Sequence, residues 1–498
     1  MTRTGQTKQI ILGSAALSIS RFWPAFAALF CVACTLLYLV DIRGFFASDD
    51  WVLLGYYSEI NPLKFWEYFS LHAVWFYRPT QSLQFGWFYH LFGLNPVPYN
   101  LALLILHLTS CFIAWKLLRA IGAGTGVATV ALVLFSSSWV YVDVLIWKAN
   151  FNTLHWAIGT LLTCLCVARS CTSGAWRWKA LAIGAAVATC FTKEMVLNLP
   201  LLVAITYLCC TPRAKLRAVA RQWWPFAAIA CVYLACHLLF FKDVNTTSPP
   251  GYRFVQPWTG VKQVLFACNH QMFWFYTDPL FLQSMPGIHA VVKGIISYAL
   301  FLPVLILAAG LLFRDRLIVF GLAWTIAAGL PSTFLVTYHA SRFYYVPLLG
   351  ASLVMAQLLV RALFAVRSSD ALLRTVVRVS AFAILAYYVA VGVGMTQLLL
   401  DSDKRQSNRL RAFFELLRAE RHQVPKGALI VMQNPPTDFV NANLGSTELV
   451  KFALQDKTAE GVADKTVIAR NEEERLGRLP VRYVVDFNEA DLKLRRIR

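Results

Sequence analysis

Apolar runs of about 20 residues recur along most of this sequence, and they constrain its fold more than any other feature. A run of that length crosses the roughly 30 Å hydrocarbon core of a bilayer as a helix. The chain has 498 residues, of which 58% are hydrophobic and only 14% are charged. A soluble protein of this length needs more polar surface than that. The sequence therefore predicts an all-α polytopic membrane protein.

Hydropathy and charge together predict about eleven spans. They cover residues 22–41, 98–119, 124–142, 154–170, 178–192, 195–211, 222–241, 287–313, 317–337, 344–364 and 375–399. Every second loop is rich in Lys and Arg, as in "RAKLR" at 213–217, and the positive-inside rule makes these loops cytoplasmic. The same rule explains the net charge of +20 without a nucleic-acid partner. The first long loop, 42–97, then lies on the non-cytoplasmic side.

Three regions follow from this pattern. Residues 1–21 form a basic cytoplasmic segment, and the span after it lacks a small-residue cleavage motif, which favours an uncleaved anchor. Residues 22–399 form the transmembrane domain. Residues 400–498 carry frequent charges, and "ALIVMQ" and "VRYVVDF" predict strands there, so we expect a small external α/β domain. The twelve cysteines lie in or beside apolar runs without metal-ligand spacing, which argues against a zinc site.

Acidic and basic residues collect at the non-cytoplasmic ends of the spans. The pair Asp49–Asp50 directly follows the first span. The others are Arg78 in "WFYRPTQSL", Asp143 and Lys148 in "VDVLIWKAN", Lys193 and Glu194 in "TKEMVLNLP", and His339 and Arg342 in "TYHASRFYYVP". Charge at membrane depth is costly and is usually functional. Bases would hold a phosphate, and a carboxylate would take a proton or bind a divalent cation.

Structural alternatives exist for several of these residues. Ser48 or Asp49 could simply cap a helix that starts at Trp51. His107, deep in a span, is better explained as a hydrogen-bonding partner between helices than as a ligand. Arg78 and Arg342 could be anchors at the membrane interface. The pair Lys193–Glu194 could lie in a water-exposed turn.

The order of these motifs resembles the GT-C superfamily of polyprenyl-phosphate-sugar-dependent glycosyltransferases. It is most similar to the branch related to protein O-mannosyltransferases, over roughly residues 20–365. The motifs are the acidic pair of "SDDW", then "YRPTQSLQFGWFYHLF", "VDVLIWKAN", "TKEMVLNLP" and "SRFYYVPLLG". The resemblance implies a GT-C-like helical fold.

It also implies a reaction. The donor would be a polyprenyl-phosphate-linked monosaccharide, displaced with inversion at its anomeric carbon. The catalytic residues would be Asp49, Asp50 and Asp143, with Asp49 as the general base on the acceptor hydroxyl. Asp50 beside it would orient or cap, and Asp143 would bind a metal or the acceptor. The residues assigned to the substrate or its phosphate are Arg78, Lys193, Glu194, His339, Arg342 and Tyr345.

The partners follow from the same resemblance. The acceptor would be a glycan, a lipid or a protein, and the site would face the periplasm from a bacterial inner membrane. No cofactor is certain, and a divalent cation with unknown ligands stays open. Two other functions use similar residues. A transporter or flippase would be expected to have inverted repeats, which the sequence does not show. A lipid-linked glycan polymerase or ligase would usually lack an acidic pair after the first span.

Overall fold

Helices account for most of the described chain, as expected where apolar segments must satisfy their backbone hydrogen bonds internally. The computed structural model describes residues 22–69, 77–240, 255–273, 302–334, 341–364, 371–433, 443–463, 482–487 and 492–497. The segment predicted to be cytoplasmic at 1–21 and the predicted site residue His339 lie outside these residues.

The helices up to residue 420 form the membrane part and its connections. They are α1 (Phe22–Asp41), α2 (Asp49–Tyr57), α3 (Pro79–Phe92), α4 (Pro96–Ala120), α5 (Thr125–Ser136), α6 (Val142–Ile146), α7 (Phe151–Ser173), α8 (Trp176–Cys190), α9 (Leu199–Cys210), α10 (Leu216–Phe240), α11 (Pro257–Phe273), α12 (Leu302–Leu312), α13 (Arg316–Thr333), α14 (Tyr345–Phe364) and α15 (Ala371–Glu420).

The chain is a multi-pass membrane protein. Within the described ranges, seven helices are long and apolar enough to cross a membrane, namely α1, α4, α7, α10, α13, α14 and α15. An eighth span would combine α5 with the segment Trp139–Ile146, which is bent against it by 53°. The other predicted spans coincide, wholly or in part, with the shorter helices α8, α9 and α12.

Small residues allow a close helix crossing between α13 and α14. A Cβ added to Gly321 would lie 2.7 Å from the backbone oxygen of Gly350, so the two backbones touch. Small residues at helix crossings serve this purpose in membranes, where the hydrophobic effect does not drive association. The crossing fixes α14, and α14 begins directly after the predicted phosphate-binding residue Arg342.

The C-terminal region contains the predicted sheet. Its elements are β1 (Leu429–Gln433), α16 (Asn443–Leu454), β2 (Glu460–Ala463), β3 (Arg482–Asp486) and β4 (Arg495–Ile497). The strand order is β2-β1-β3-β4, with β1 parallel to β2 and β3, and β4 antiparallel to β3. Both strands predicted from the sequence, β1 and β3, are confirmed. The boundary predicted at residue 400 falls inside α15, which runs for 50 residues.

Candidate functional site

One cavity of about 70 Å³ is lined by charged residues from distant parts of the chain. These charged residues are Asp49, Arg78, Lys193, Glu194 and Arg342. The other lining residues are Val52, Leu53, Tyr57, Gln81, Trp147, Ala149, Asn150, Asn152 and Phe343. The cavity therefore joins α2, the start of α3, the start of α7, the turn between α8 and α9, and the segment before α14.

Asp49 lies half-buried in the first turn of α2. Burial raises the pKa of its carboxyl above the ordinary value, while the positive charges of Arg342 and Arg78 act to lower it. Ser48 occupies the N-cap position but its side chain makes no capping hydrogen bond. Its φ is 47°, a left-handed conformation that costs a non-glycine residue energy. The backbone is thus held in a strained conformation directly before the carboxylate.

Asp50 does not line the cavity, which corrects its assignment as a catalytic residue. It is fully buried and accepts hydrogen bonds from the backbone N–H groups of Ala47 (3.0 Å) and Ala149 (2.7 Å). Burial raises its pKa to about 7, against the charge of Lys148 and these two hydrogen bonds, which lower it. Asp50 therefore joins α2 to the segment before α7.

Asp143, which was predicted to bind a metal or the acceptor, also lies outside the cavity lining. It is exposed on the short helix α6. The prediction came from the resemblance, in which an acidic residue stands four positions before a tryptophan, as Asp143 does before Trp147. However, α6 ends at Ile146 and Trp147 is extended, with ψ of 113°, so only the tryptophan faces the cavity.

Arg78 and Glu194 form a two-point ion pair. The Arg78 Nε and Nη2 atoms donate to the two carboxylate oxygens of Glu194 at 3.0 and 2.6 Å. The neighbouring Thr80 supports this arrangement, because its N–H and hydroxyl donate to the backbone oxygen of Phe191 at 3.2 and 3.0 Å. The anchor alternative for Arg78 is therefore not what the structure shows.

Lys193 and Arg342 both lie close to one aromatic ring. The Lys193 ammonium is 5.3 Å from the ring centre of Phe343, and the Arg342 guanidinium is also 5.3 Å from it and 5.5 Å from that of Trp147. Lys193 is 2% exposed, so it is not in a water-exposed turn. Burial holds its pKa well below the usual range, and the charges of Arg78 and Arg342 lower it further. An anion bound here would be stabilised by the Arg342 guanidinium, and its negative charge would favour the protonated form of the Lys193 amine.

Hydrogen-bonded side chains connect the lysine to the segment before α7. Lys193 Nζ donates to Thr153 Oγ1 at 2.8 Å, and the Thr153 hydroxyl donates to Asn152 Oδ1 at 3.1 Å. Asn152 Nδ2 donates to Gln81 Oε1 at 3.0 Å, and Gln81 Nε2 donates to the Ala149 oxygen at 2.5 Å. Sequence reasoning missed this network. The polar run "NFNT" at the start of an apolar helix was the available signal.

Tyr345 does not reach the cavity, which corrects its assignment to substrate binding. It is 1% exposed, and its hydroxyl is 2.7 Å from His107 Nδ1 on α4. His107 is itself buried beside Phe135 and Tyr141. The predicted role of His107 as a hydrogen-bonding partner between helices is confirmed, and Tyr345 is that partner.

The divalent cation that the sequence left open stays a prediction. In the part of the chain that the structure describes, no group of three or more His, Cys, Asp or Glu residues could hold a metal ion. Of the two carboxylates that line the cavity, Glu194 is already bound by Arg78, and the positive charges of Arg342 and Arg78 act on Asp49.

No protein-family model matches the chain, and no curated protein matches it either. Among solved structures, ArnT from Cupriavidus metallidurans bound to undecaprenyl phosphate is 14% identical with a TM-score of 0.47, covering 92% of both chains. The Archaeoglobus fulgidus oligosaccharyltransferase AglB in complex with an inhibitory peptide and a dolichol-phosphate is 12% identical with a TM-score of 0.46, covering 92% of this chain and 69% of that chain. At these values the similarity assigns neither family nor activity, and the protein O-mannosyltransferase branch stays a prediction.

Proposed function

We propose that the chain is a membrane glycosyltransferase that moves a monosaccharide from a polyprenyl-phosphate donor to an acceptor on the non-cytoplasmic face. One observation carries the proposal: the half-buried carboxylate of Asp49 shares a cavity with the cations of Lys193 and Arg342. A glycosyl transfer from a phosphate needs a base for the acceptor and positive charge for the leaving group, held within one sugar's reach.

Asp49 is the general base. It takes the proton of an acceptor hydroxyl while that oxygen bonds to the anomeric carbon of the donor. The bond between the anomeric carbon and the phosphate oxygen breaks on the opposite side, and the phosphate leaves with the electron pair. A base is most effective when its pKa is near the working pH, and burial raises the pKa of Asp49 in that direction.

The carboxylates that line the cavity support an inverting reaction. A retaining mechanism needs a second carboxylate as nucleophile, and the other carboxylate that lines the cavity, Glu194, is bound at both oxygens by Arg78. A single base therefore supports a single displacement.

Lys193 and Arg342 would bind the departing phosphate. Charge-assisted hydrogen bonds contribute roughly 1.5–3 kcal/mol each. At about 70 Å³ the cavity is smaller than typical ligand pockets of roughly 300–1,000 Å³, so it would enclose the reacting groups and leave most of the sugar outside. The polyprenyl chain would remain on the lipid side.

The test replaces Asp49 by its uncharged isostere. We expect Asp49→Asn to lower transfer from radiolabelled polyprenyl-phosphate hexoses to the native acceptor in cell-envelope membranes by roughly 10²–10⁴-fold, because the amide cannot take a proton. Binding of polyprenyl phosphate should persist, since the cations remain.

Asp143→Asn is the matched control, because it removes an exposed carboxylate that does not line the cavity. It should leave transfer unchanged. Undiminished transfer by Asp49→Asn, at equal expression, would contradict the proposal and favour a transporter or a lipid-linked glycan polymerase.

A further inference from the structure

The two faces of α2 have different neighbours. On one face, Asp49, Val52 and Leu53 line the cavity. Trp51 and Gly55 are four residues apart and so share a second face. At 100° per residue, this face lies opposite the one that carries Asp49 and Leu53. The second face packs against the C-terminal unit, which we define as the last turns of α15 together with β1–β4 and α16.

Trp51 is the central contact on this second face. It is 0% exposed and stacks on Phe414 of α15, with ring centres 5.4 Å apart and an angle of 21°. Its ring centre is also 5.8 Å from that of Phe452 on α16. Its indole N–H donates to the backbone oxygen of Phe46 at 3.1 Å, so both the loop before α2 and the helix itself are attached to the C-terminal unit.

Gly55 provides a second contact one turn further along. A Cβ placed there would lie 2.5 Å from Glu448 Oε2 and 3.3 Å from Glu448 Cγ of α16, so the Glu448 side chain packs directly over the glycine. At the end of α2, Glu59 forms an ion pair with Lys457, which follows α16. The contacts therefore run from Trp51, in the turn that carries the base, to Glu59, two residues beyond the end of α2.

We infer that the C-terminal unit is a positioning element for Asp49, with Trp51 as the positioning residue. The inference rests on the proposed function, because it concerns the geometry of that same base. α2 has nine residues, too few to be stable alone in water, so its orientation depends on what packs against it. A shift of about 1 Å in a reacting group can cost on the order of 10²-fold in rate.

The test exchanges volume between α2 and α16. Gly55→Leu places a side chain where Glu448 now lies and should push the helices apart. Adding Glu448→Ala makes room for that side chain and should restore the contact, as volume-conserving exchanges do. Two readouts apply to the full-length protein: hydrogen exchange of the α2 amides, and kcat and KM for the polyprenyl-phosphate donor.

We expect Gly55→Leu to speed exchange of the α2 amides and to lower kcat by on the order of 10²-fold. KM should change less than about twofold, because Lys193 and Arg342 belong to other elements. The double variant should recover both properties. Trp51→Phe should retain a higher kcat than Trp51→Ala. Trp176→Ala is the control, because it removes an indole at the start of α8 that is 81% exposed, and it should change neither readout.

Two outcomes would overturn the inference. In one, Gly55→Leu speeds exchange in α2 but leaves kcat unchanged, which would make the contact structural only. In the other, kcat and donor binding fall together and the double variant does not restore them. Absence of transfer by the wild-type protein would instead contradict the proposed function, and the hydrogen-exchange result would still report the contact.

Discussion

Arg342 shows how one residue combines charge and shape. Its guanidinium lies within 5.5 Å of the ring centres of both Trp147 and Phe343, and its charge acts on Asp49. A planar guanidinium can stack on aromatic rings, and such stacking fixes its orientation. A guanidinium held in this way can donate to two phosphate oxygens at once. An interfacial anchor would need none of this geometry.

We expect Arg342→Ala to lower transfer by roughly 10–10²-fold and Arg342→Lys to lower it less, because lysine keeps the charge but loses the planar fork. The pH profile is a second readout. Asp49 must be deprotonated to act, so activity is lost as pH falls through its pKa, which burial has raised. Arg342 lowers that pKa, and its removal should therefore move the acidic limb of the profile to higher pH. If Arg342→Ala changed neither transfer nor the acidic limb of the pH profile, Arg342 would be a membrane anchor.

The loop between α1 and α2 is held by side chains from other elements. Lys148 is 1% exposed, and its ammonium donates to the backbone oxygens of Gly44 and Phe45, both at 2.8 Å. Asn100 Nδ2 donates to the oxygens of Ile42 (3.0 Å) and Gly44 (3.2 Å). The carbonyl groups of this loop thus accept hydrogen bonds from side chains on α4 and in the segment before α7. These bonds fix the position at which α2 begins.

We expect Lys148→Met to lower the melting temperature of the purified protein, because it leaves two buried carbonyl groups without their donor, at roughly 1–3 kcal/mol each. Transfer should fall as well, since the loop leads into Asp49. Lys64→Met is the control, because Lys64 lies in the predicted external loop 42–97 and its side chain is 54% exposed. Equal melting temperatures for the two variants would show that Lys148 does not hold the loop.

At the scale of the whole molecule, the position of the site relative to the membrane follows from loop charge. The basic loop around residue 215 and the strand β1 are separated by five predicted spans, so they should face opposite sides. Reporter fusions at residues 215 and 430 should give a cytoplasmic signal at the first and a non-cytoplasmic signal at the second. Signals on the same side would contradict the topology and the shared external face of the cavity residues.

The sequence by itself determined the helical membrane architecture and many of the cavity residues. Apolar length is a local property, and lipid leaves a backbone no alternative to internal hydrogen bonding, so the predicted spans coincide with helices. The strands β1 and β3 were also predicted from local runs. Charges at membrane depth are costly enough to be conspicuous in a sequence, which is why Asp49, Lys193 and Arg342 were singled out.

Tertiary structure alone decided which of these charges meet. Asp49 and Asp50 are adjacent, yet side chains on neighbouring residues of a helix point about 100° apart, so one lines the cavity and the other binds two backbone amides. Asp143 is excluded because its helix ends before Trp147. The packing of Trp51 on Phe414 joins segments far apart in the chain. Contacts of this kind depend on three-dimensional complementarity between distant segments, and no local pattern of residue types encodes it.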